Sequence, residues 1–365
     1  MIYLDNAATS FPKPKAVAQE MCRSVECYAA NAGRGGHTLS LQSAGKIYEV
    51  RKKAADFFNL SDPSRVIFCQ NATAALNTVI KGVFSRREKV LISNFEHNSV
   101  LRPVASTCTY DVFEVADTQR TLQNIEEKIT PFTRGIICTA VSNVTGKELP
   151  IREICAFAKA RGLITVIDGS QGAGSMPLGT DIGYDFMCTA GHKGLFGPQG
   201  TGLIIVNCDI PVKPVMEGGS GSHSLLLTQP DELPERLEAG TLNLHGIAGL
   251  GAGLDFVSEN TGRIAEHQKR LVFYLADNLR DMGARVFDTD GHLLSFNLGE
   301  KDSESVAAYL DNCGICVRAG LHCAPLAHKS LGTLSQGTVR ISPSVFNTVN
   351  HADRFLECIN MLKNC

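Results

Sequence analysis

The chain alternates short apolar runs with longer stretches in which apolar residues recur at helical spacing. Five runs are almost wholly apolar: Arg65-Val66-Ile67-Phe68-Cys69, Lys89-Val90-Leu91-Ile92-Ser93, Gly135-Ile136-Ile137-Cys138-Thr139, Ile164-Thr165-Val166-Ile167-Asp168 and Gly202-Leu203-Ile204-Ile205-Val206. Runs this short, without polar alternation, predict strands buried on both faces. Helical patterns lie between several of them, as at 151–161. That succession predicts an α/β fold with a largely parallel sheet, whose ligands gather at the C-terminal ends of the strands. From about Gly246 the texture changes. A long helix is predicted over 265–282, short strands near 293–297 and 315–318, and a last helix over about 349–362. Residues 15–245 are therefore read as a large domain. Residues 246–365, together with 1–14, are read as a smaller α+β domain. The most open loop is Glu217-Gly218-Gly219-Ser220-Gly221-Ser222-His223-Ser224, which is expected to close over whatever lies beneath it.

Composition narrows the function. A chain of 365 residues can bury a large core. A formal net charge of -2 gives no reason to expect nucleic acid or an anionic membrane as partner. No run is long enough to span a bilayer. Met1-Ile2-Tyr3-Leu4-Asp5 lacks the basic and apolar stretches of a signal peptide, so a cytoplasmic location is expected. Thirteen cysteines scattered through a chain of this size are expected to be reduced, and many buried. Cys313-Gly314-Ile315-Cys316 has the spacing of half a zinc site, but no second such pair exists, so no metal is expected.

The candidate chemistry centres on Ala190-Gly191-His192-Lys193-Gly194-Leu195-Phe196-Gly197-Pro198. A lysine between a strand end and a glycine-rich loop suits an amine that forms a Schiff base with an aldehyde. Upstream, the strand Val166-Ile167 ends in Asp168, with Gln171 three residues on. Pyridoxal phosphate needs these two partners, a lysine for its aldehyde and an acid for its ring nitrogen. Thr73, where a strand gives way to a helix, offers a hydroxyl at an anion-binding N-terminus. His97, also just after a strand, is placed to stack on a ring. A second centre is Arg318-Ala319-Gly320-Leu321-His322-Cys323-Ala324-Pro325. There a cysteine in a Gly/Pro-flanked loop, beside an arginine and a histidine, suits a nucleophilic thiolate. Arg340, in a strand-like run, can grip a carboxylate with its planar fork. Each residue alone has a plainer explanation, such as a helix cap, a surface charge or a structural cysteine. Their combination favours the cofactor.

The same residues carry a family resemblance. Tyr3-Leu4-Asp5-Asn6-Ala7-Ala8-Thr9, Gly36-His37-Thr38-Leu39-Ser40, Val141-Ser142-Asn143-Val144-Thr145-Gly146, Asp168-Gly169-Ser170-Gln171, Gly191-His192-Lys193, Glu238-Ala239-Gly240-Thr241 and the Arg318–Ala324 run span nearly the whole chain. Together they resemble the cysteine desulfurases and selenocysteine lyases, class V, fold-type I pyridoxal phosphate enzymes. The Arg-x-Gly-x-His-Cys-Ala run is similar to the second subgroup, which carries its cysteine on a short ordered loop. The resemblance implies a seven-stranded, mostly parallel sheet in the large domain and the catalytic cysteine loop in the small one. It implies that Lys193 holds the cofactor and moves protons, Asp168 holds the pyridinium, His97 stacks on the ring and Gln171 meets its phenolate oxygen. Thr73 and His192 would bind the phosphate, joined by Thr241 from the neighbouring subunit of a homodimer. Asn143 and Arg340 would hold the substrate carboxylate, with Arg318 and His37 lining the pocket. Cys323 would take sulfur from L-cysteine as a persulfide, releasing L-alanine, and hand it to an acceptor protein or small thiol.

The chain also departs from that pattern. Ala190 stands where relatives often have a hydroxyl before Gly-His-Lys, and Thr189, one residue off, is a candidate replacement. Ala74-Ala75 and Asn98 differ from the common residues at their positions. The rival readings are a selenocysteine lyase acting on L-selenocysteine, a pyridoxal phosphate β-lyase or aminotransferase, and a non-catalytic scaffold that hands on sulfur.

Overall fold

The computed structural model describes residues 1–33 and 36–363. The first part of the chain contains β1 (Ile2–Tyr3), α1 (Lys15–Cys27), α2 (Thr38–Phe57), β2 (Val66–Cys69), α3 (Ala72–Val83), β3 (Lys89–Ser93) and α4 (Asn98–Thr107). There follow β4 (Thr109–Phe113), α5 (Thr118–Lys128), β5 (Thr133–Thr139), α6 (Ile151–Lys159), β6 (Ile164–Asp168), β7 (Phe186–Ala190) and β8 (Gly202–Val206). The remainder is α7 (Leu244–Asp281), β9 (Arg285–Val286), β10 (Leu294–Asn297), α8 (Ser303–Asn312), β11 (Ile315–Cys316), α9 (Pro325–Leu331), β12 (Val339–Ile341) and α10 (Val349–Lys363).

Seven strands form one sheet in the order β2-β8-β7-β6-β5-β3-β4. Only β8 runs against the others. One face buries Val90, Ile92 and Val166 beneath Leu76, Val79 and Ile80 of α3 and Val100 and Val104 of α4. The other buries Leu91, Ile136 and Ile167 beneath Ala54 of α2, Ile125 of α5 and Ile154 of α6. Helices on both faces explain why the strands read as continuous apolar runs.

A second core joins the two ends of the chain. Leu4 packs with Leu271, Leu275, Phe296, Ile315, Ile341 and Phe355. β1 pairs in parallel with β11, and β10 lies between β12 and β9 in a small antiparallel sheet.

The long helix differs from expectation. It begins at Leu244, not near 265, and runs for 38 residues, about 57 Å at 1.5 Å per residue. Its first half contributes Leu244, Ile247, Leu250 and Leu254 to the large core, and its second half contributes Leu271 to Leu279 to the small one. The expected boundary at 245/246 thus falls inside its first turn. Its glycine-rich start reads as a helix breaker in the sequence. The glycines are there for contact: a Cβ at Gly249 would lie 2.7 Å from Met21 Cγ, and one at Gly251 would lie 2.6 Å from Val50 Cγ2. They let α1 and α2 lie close against α7. Among the described residues no helix is long and apolar enough to cross a membrane.

Candidate active site

The candidate residues gather at the C-terminal edge of the large sheet. Asp168 is the last residue of β6, is buried, and its Oδ1 accepts the Ser170 N–H at 2.9 Å. Lys193 lies on the turn after β7. Its protein surroundings hold its amine down to about 8; burial is the main cause, Arg340 and Arg318 add to it, and Asp168 opposes it.

The residue before Lys193 is gripped by the N-terminal segment. The His192 carbonyl accepts from Ser10 N at 3.0 Å, Thr9 Oγ1 at 3.1 Å, Ser10 Oγ at 3.2 Å and Lys13 Nζ at 3.2 Å. Burial lowers the Lys13 amine to about 8. Burial, then Lys193 and Lys13, lower His192 to about 4, so its ring is neutral. Its Nδ1 is buried with no partner among the described residues.

Thr73 lies in the first turn of α3, but Asn71 is the cap, its Oδ1 accepting from Ala74 N at 2.8 Å. The Thr73 hydroxyl is instead 2.7 Å from the Ser99 hydroxyl. His97 caps α4, its Nδ1 accepting the Ser99 N–H at 3.0 Å and lying 2.9 Å from Ser99 Oγ. Ser99 therefore links the two candidates and fixes the His97 ring. Burial lowers the pKa of that ring, with Asp168 opposing.

Strand alternation decides the matter of Thr189. Asp168 pairs in register with Cys188, and Phe186 and Cys188 point toward α3. Ala190 shares that face, whereas Thr189 points the other way with Met187. A shift of one residue along a strand reverses the face. The buried Thr189 hydroxyl thus cannot replace a hydroxyl at 190.

Cys323 is exposed, unlike the thiols of Cys138 and Cys188, which burial pushes well above the usual range. Its loop is held by backbone and amide bonds. Asn98 N donates to the Cys323 carbonyl at 2.7 Å, Asn143 Nδ2 donates to the His322 carbonyl at 2.7 Å, and Gly320 and Thr338 exchange backbone bonds at 3.2 Å. His322 and Cys323 have φ of 48° and 58°, a left-handed conformation that non-glycine residues seldom adopt. Consecutive strain of this kind persists only where the surroundings enforce it.

Arg340 is buried on β12, not a surface strand charge. Its NH2 donates to Asp5 Oδ1 at 2.9 Å and its NH1 to the Asn143 carbonyl at 3.0 Å. Its Nε and the Asn143 Oδ1 are buried without partners among the described residues. Arg318 pairs with Arg340 through the backbone. Gln171 Nε2 donates to the Ala7 carbonyl at 3.0 Å.

Two candidates lie apart. Thr241 opens onto a cavity of about 810 Å³ lined also by Ala30, Tyr48, Arg51 and Gly219, which shares no residue with the one that Lys193 lines. The 217–224 loop borders the same cavity through Gly219, Ser220 and Gly221. His37 is exposed and caps α2, its Nδ1 accepting from Ser40 N at 3.3 Å.

Sequence reasoning missed Glu96, Asp5 and Lys13. Glu96 is fully buried beside His97; its Oε1 accepts from Ser93 Oγ and from Thr139 N, and burial pushes its carboxyl up to about 8. A carboxylate between Phe95 and His97 at a strand end was the available signal. Asp5 lies in the Tyr3–Thr9 run, but nothing in the sequence pairs it with Arg340, 335 positions away, or Lys13 with the His192 carbonyl, 179 positions away. Among the described residues no three His, Cys, Asp or Glu side chains form a metal cluster.

The arrangement offers a lowered amine beside a carboxylate, a neutral histidine whose buried Nδ1 has no partner among the described residues, an arginine with an unpaired N–H, and an exposed thiol. Such a set fits an anionic, aldehyde-bearing ring cofactor and a carboxylate substrate. A family model described as aminotransferase class-V matches residues 2–355, which puts the chain and its fold in that class. The probable cysteine desulfurase of Methanothermobacter thermautotrophicus is 33% identical over 95% of this chain and 91% of its own length. The cysteine desulfurase of Klebsiella pneumoniae is 31% identical over 100% of this chain and 93% of its own. The apo cysteine desulfurase of Thermococcus onnurineus superposes with a TM-score of 0.93 at 32% identity, covering 100% of this chain and 94% of that one. The chain belongs to the cysteine desulfurase family.

Proposed function

We propose that this protein is a pyridoxal phosphate-dependent cysteine desulfurase that converts L-cysteine to L-alanine and keeps the sulfur on Cys323 as a persulfide. The observation that carries the reading is the lowered amine of Lys193 beside Asp168, with the Cys323 loop bonded to the residue after His97. Family membership supports the cofactor. Bound there, pyridoxal phosphate supplies an electron sink for charge released at the substrate's α carbon. Lys193, Asp168, His97, Gln171, Thr73 and His192 are the residues that would hold it.

In this reading the free amine of Lys193 takes the α proton and returns a proton to the product. Arg340 and Asn143 hold the substrate carboxylate, with Arg318 beside them. The Cys323 thiolate attacks the substrate sulfur: the carbon–sulfur bond breaks, a sulfur–sulfur bond forms and the β carbon gains a proton. Cysteine plus thiol thus becomes alanine plus persulfide, and an acceptor thiol, on a protein or a small molecule, regenerates Cys323. L-Selenocysteine fits the same site.

We read the active unit as a cytoplasmic homodimer in which Thr241 supplies a phosphate hydroxyl to its neighbour. The support is the separation of Thr241 from Lys193, together with the exposed Met216, Leu225 and Leu227. The joint core of Leu4 with the C-terminal elements supports residues 1–14 and 246–365 as one domain, packed beside 15–245. Borohydride reduction and peptide mapping test the central reading: the label belongs on Lys193, and a label on another lysine overturns it.

A further inference from the structure

A hydrogen-bonded chain runs from the Lys193 cavity to the surface. Glu148 Oε1 lies 2.8 Å from His292 Nε2, and Ser175 Oγ lies 3.0 Å from His292 Nδ1. These residues come from three separate segments, 144 and 117 positions apart in sequence. The His292 interaction lowers the pKa of Glu148, which is therefore ionised at neutral pH and accepts. In the neutral form of the ring, Nε2 is then the nitrogen that carries the proton. That leaves Nδ1 as an acceptor for the Ser175 hydroxyl.

The two ends of this chain differ in what they reach, since Ser175 borders the Lys193 pocket and Glu148 does not. Ser175 and His292 line a chamber of about 40 Å³ together with Lys193, Gln171 and Gln268. A water needs roughly 10–15 Å³ of such space, so the chamber admits more than one. Gln268 Oε1 is buried without a partner among the described residues, as expected of a group that bonds to such a water. Ser175, His292 and Glu148 also line a separate cavity of about 720 Å³, and the Glu148 side chain is 41% exposed. Ser175 and His292 thus border both cavities, and Glu148 borders only the outer one.

We propose that Ser175, His292 and Glu148 form a proton relay that connects Lys193, through water in the chamber, with solvent. The inference rests on the reading of Lys193 as the residue that moves the substrate's α proton. A proton leaving the chamber adds to Ser175 Oγ as that hydroxyl's own proton passes to Nδ1. The resulting imidazolium is balanced by the Glu148 carboxylate, and the Nε2 proton passes to that carboxylate and to water. Passage in the opposite direction restores the ring. The three residues act through Lys193 and do not touch the substrate. Their contribution is that a proton taken by Lys193 exchanges with solvent before one is returned to the product.

The test is the fate of the label from α-deuterated L-cysteine. Wild-type protein is expected to release alanine that has largely lost the deuterium. His292→Leu and Ser175→Ala should each raise retention several-fold, and added imidazole should restore washout in His292→Gly. A role in stability alone would change neither retention nor the imidazole response. Equal retention in wild type and both variants overturns the relay. Washout that continues in Lys193→Ala places the base elsewhere, and so overturns the parent reading as well. A crystal structure of the wild-type protein supplies a readout without turnover: an ordered water between Lys193 Nζ and Ser175 Oγ is expected, and a dry chamber overturns the proposal.

Discussion

The backbone N–H of Asn98 donates to the carbonyl of Cys323 at 2.7 Å. One bond thereby ties the loop of the proposed nucleophile to the helix that His97 caps. Because the tie is made through the backbone, the loop keeps its place whatever side chain stands at 323, provided that chain tolerates φ near 58°.

Cys323→Ala is the first consequence. It should still bind cofactor and L-cysteine, as read by absorbance changes, while alanine release from L-cysteine falls to near background. With L-selenocysteine it should keep substantial activity, because an acidic selenol leaves without a thiolate to receive it. Mass mapping of wild type given L-cysteine without reductant should find one added sulfur on the Cys323 peptide. Full cysteine turnover by the variant would remove the persulfide step and favour a β-lyase.

The lowered amine of Lys193 sets a pH dependence. Only the neutral amine captures an aldehyde, and burial brings its pKa from the usual lysine range to about 8. In cofactor-free protein, capture of pyridoxal phosphate into a borohydride-reducible linkage should therefore quicken as pH rises from 6 through about 8, then level off. A rate that keeps climbing toward the usual lysine value of roughly 10.4 would mean an unperturbed amine.

Arg340→Lys keeps the charge and loses the planar fork. Loss of a hydrogen bond to a charged group costs about 1.5–3 kcal/mol, roughly 10- to 150-fold in KM for L-cysteine. The spectrum of the resting protein should not change. Steady-state kinetics with an unaltered KM would take Arg340 out of the substrate clamp.

A buried ion pair holds the segment that leads to Thr241. Arg51 donates to both oxygens of Glu238 at 2.7 Å each, and Glu238 Oε1 also accepts the Phe68 N–H at 2.7 Å. Removing one partner strands the other, which typically costs about 3–5 kcal/mol. Arg51→Ala should show that loss in urea denaturation, and Arg51→Met with Glu238→Leu should recover much of it. A loss below about 1 kcal/mol for the single variant, the range of a surface pair, would contradict this account.

The large sheet was legible because its strands are buried on both faces, which leaves little room for polar residues within them. Lys193, Asp168, His97 and Asn143 were legible for a related reason, since each follows such a strand. The first half of α7 was not, because Gly246, Gly249, Gly251 and Gly253 resemble a loop until α1, α2 and the 195–201 segment are laid against them. Nor was the bond between Asp5 and Arg340, or that between His292 and Glu148. Such pairs form only when distant segments meet, and no periodicity records them. Thr189 shows the reverse limit, in which proximity in sequence suggested a role that the pleat of β7 rules out.

The pairing of β1 with β11 has a consequence for how this protein is made. Ile2 and Tyr3 have their strand partners at Ile315 and Cys316, and Asn6 N donates to the carbonyl of Ser342. At about 5–20 residues per second, translation reaches those partners roughly 15–60 s after the first residues are made. The segment that grips the His192 carbonyl thus spends most of synthesis without its final neighbours, and the lysine site is completed only when the last quarter of the chain leaves the ribosome.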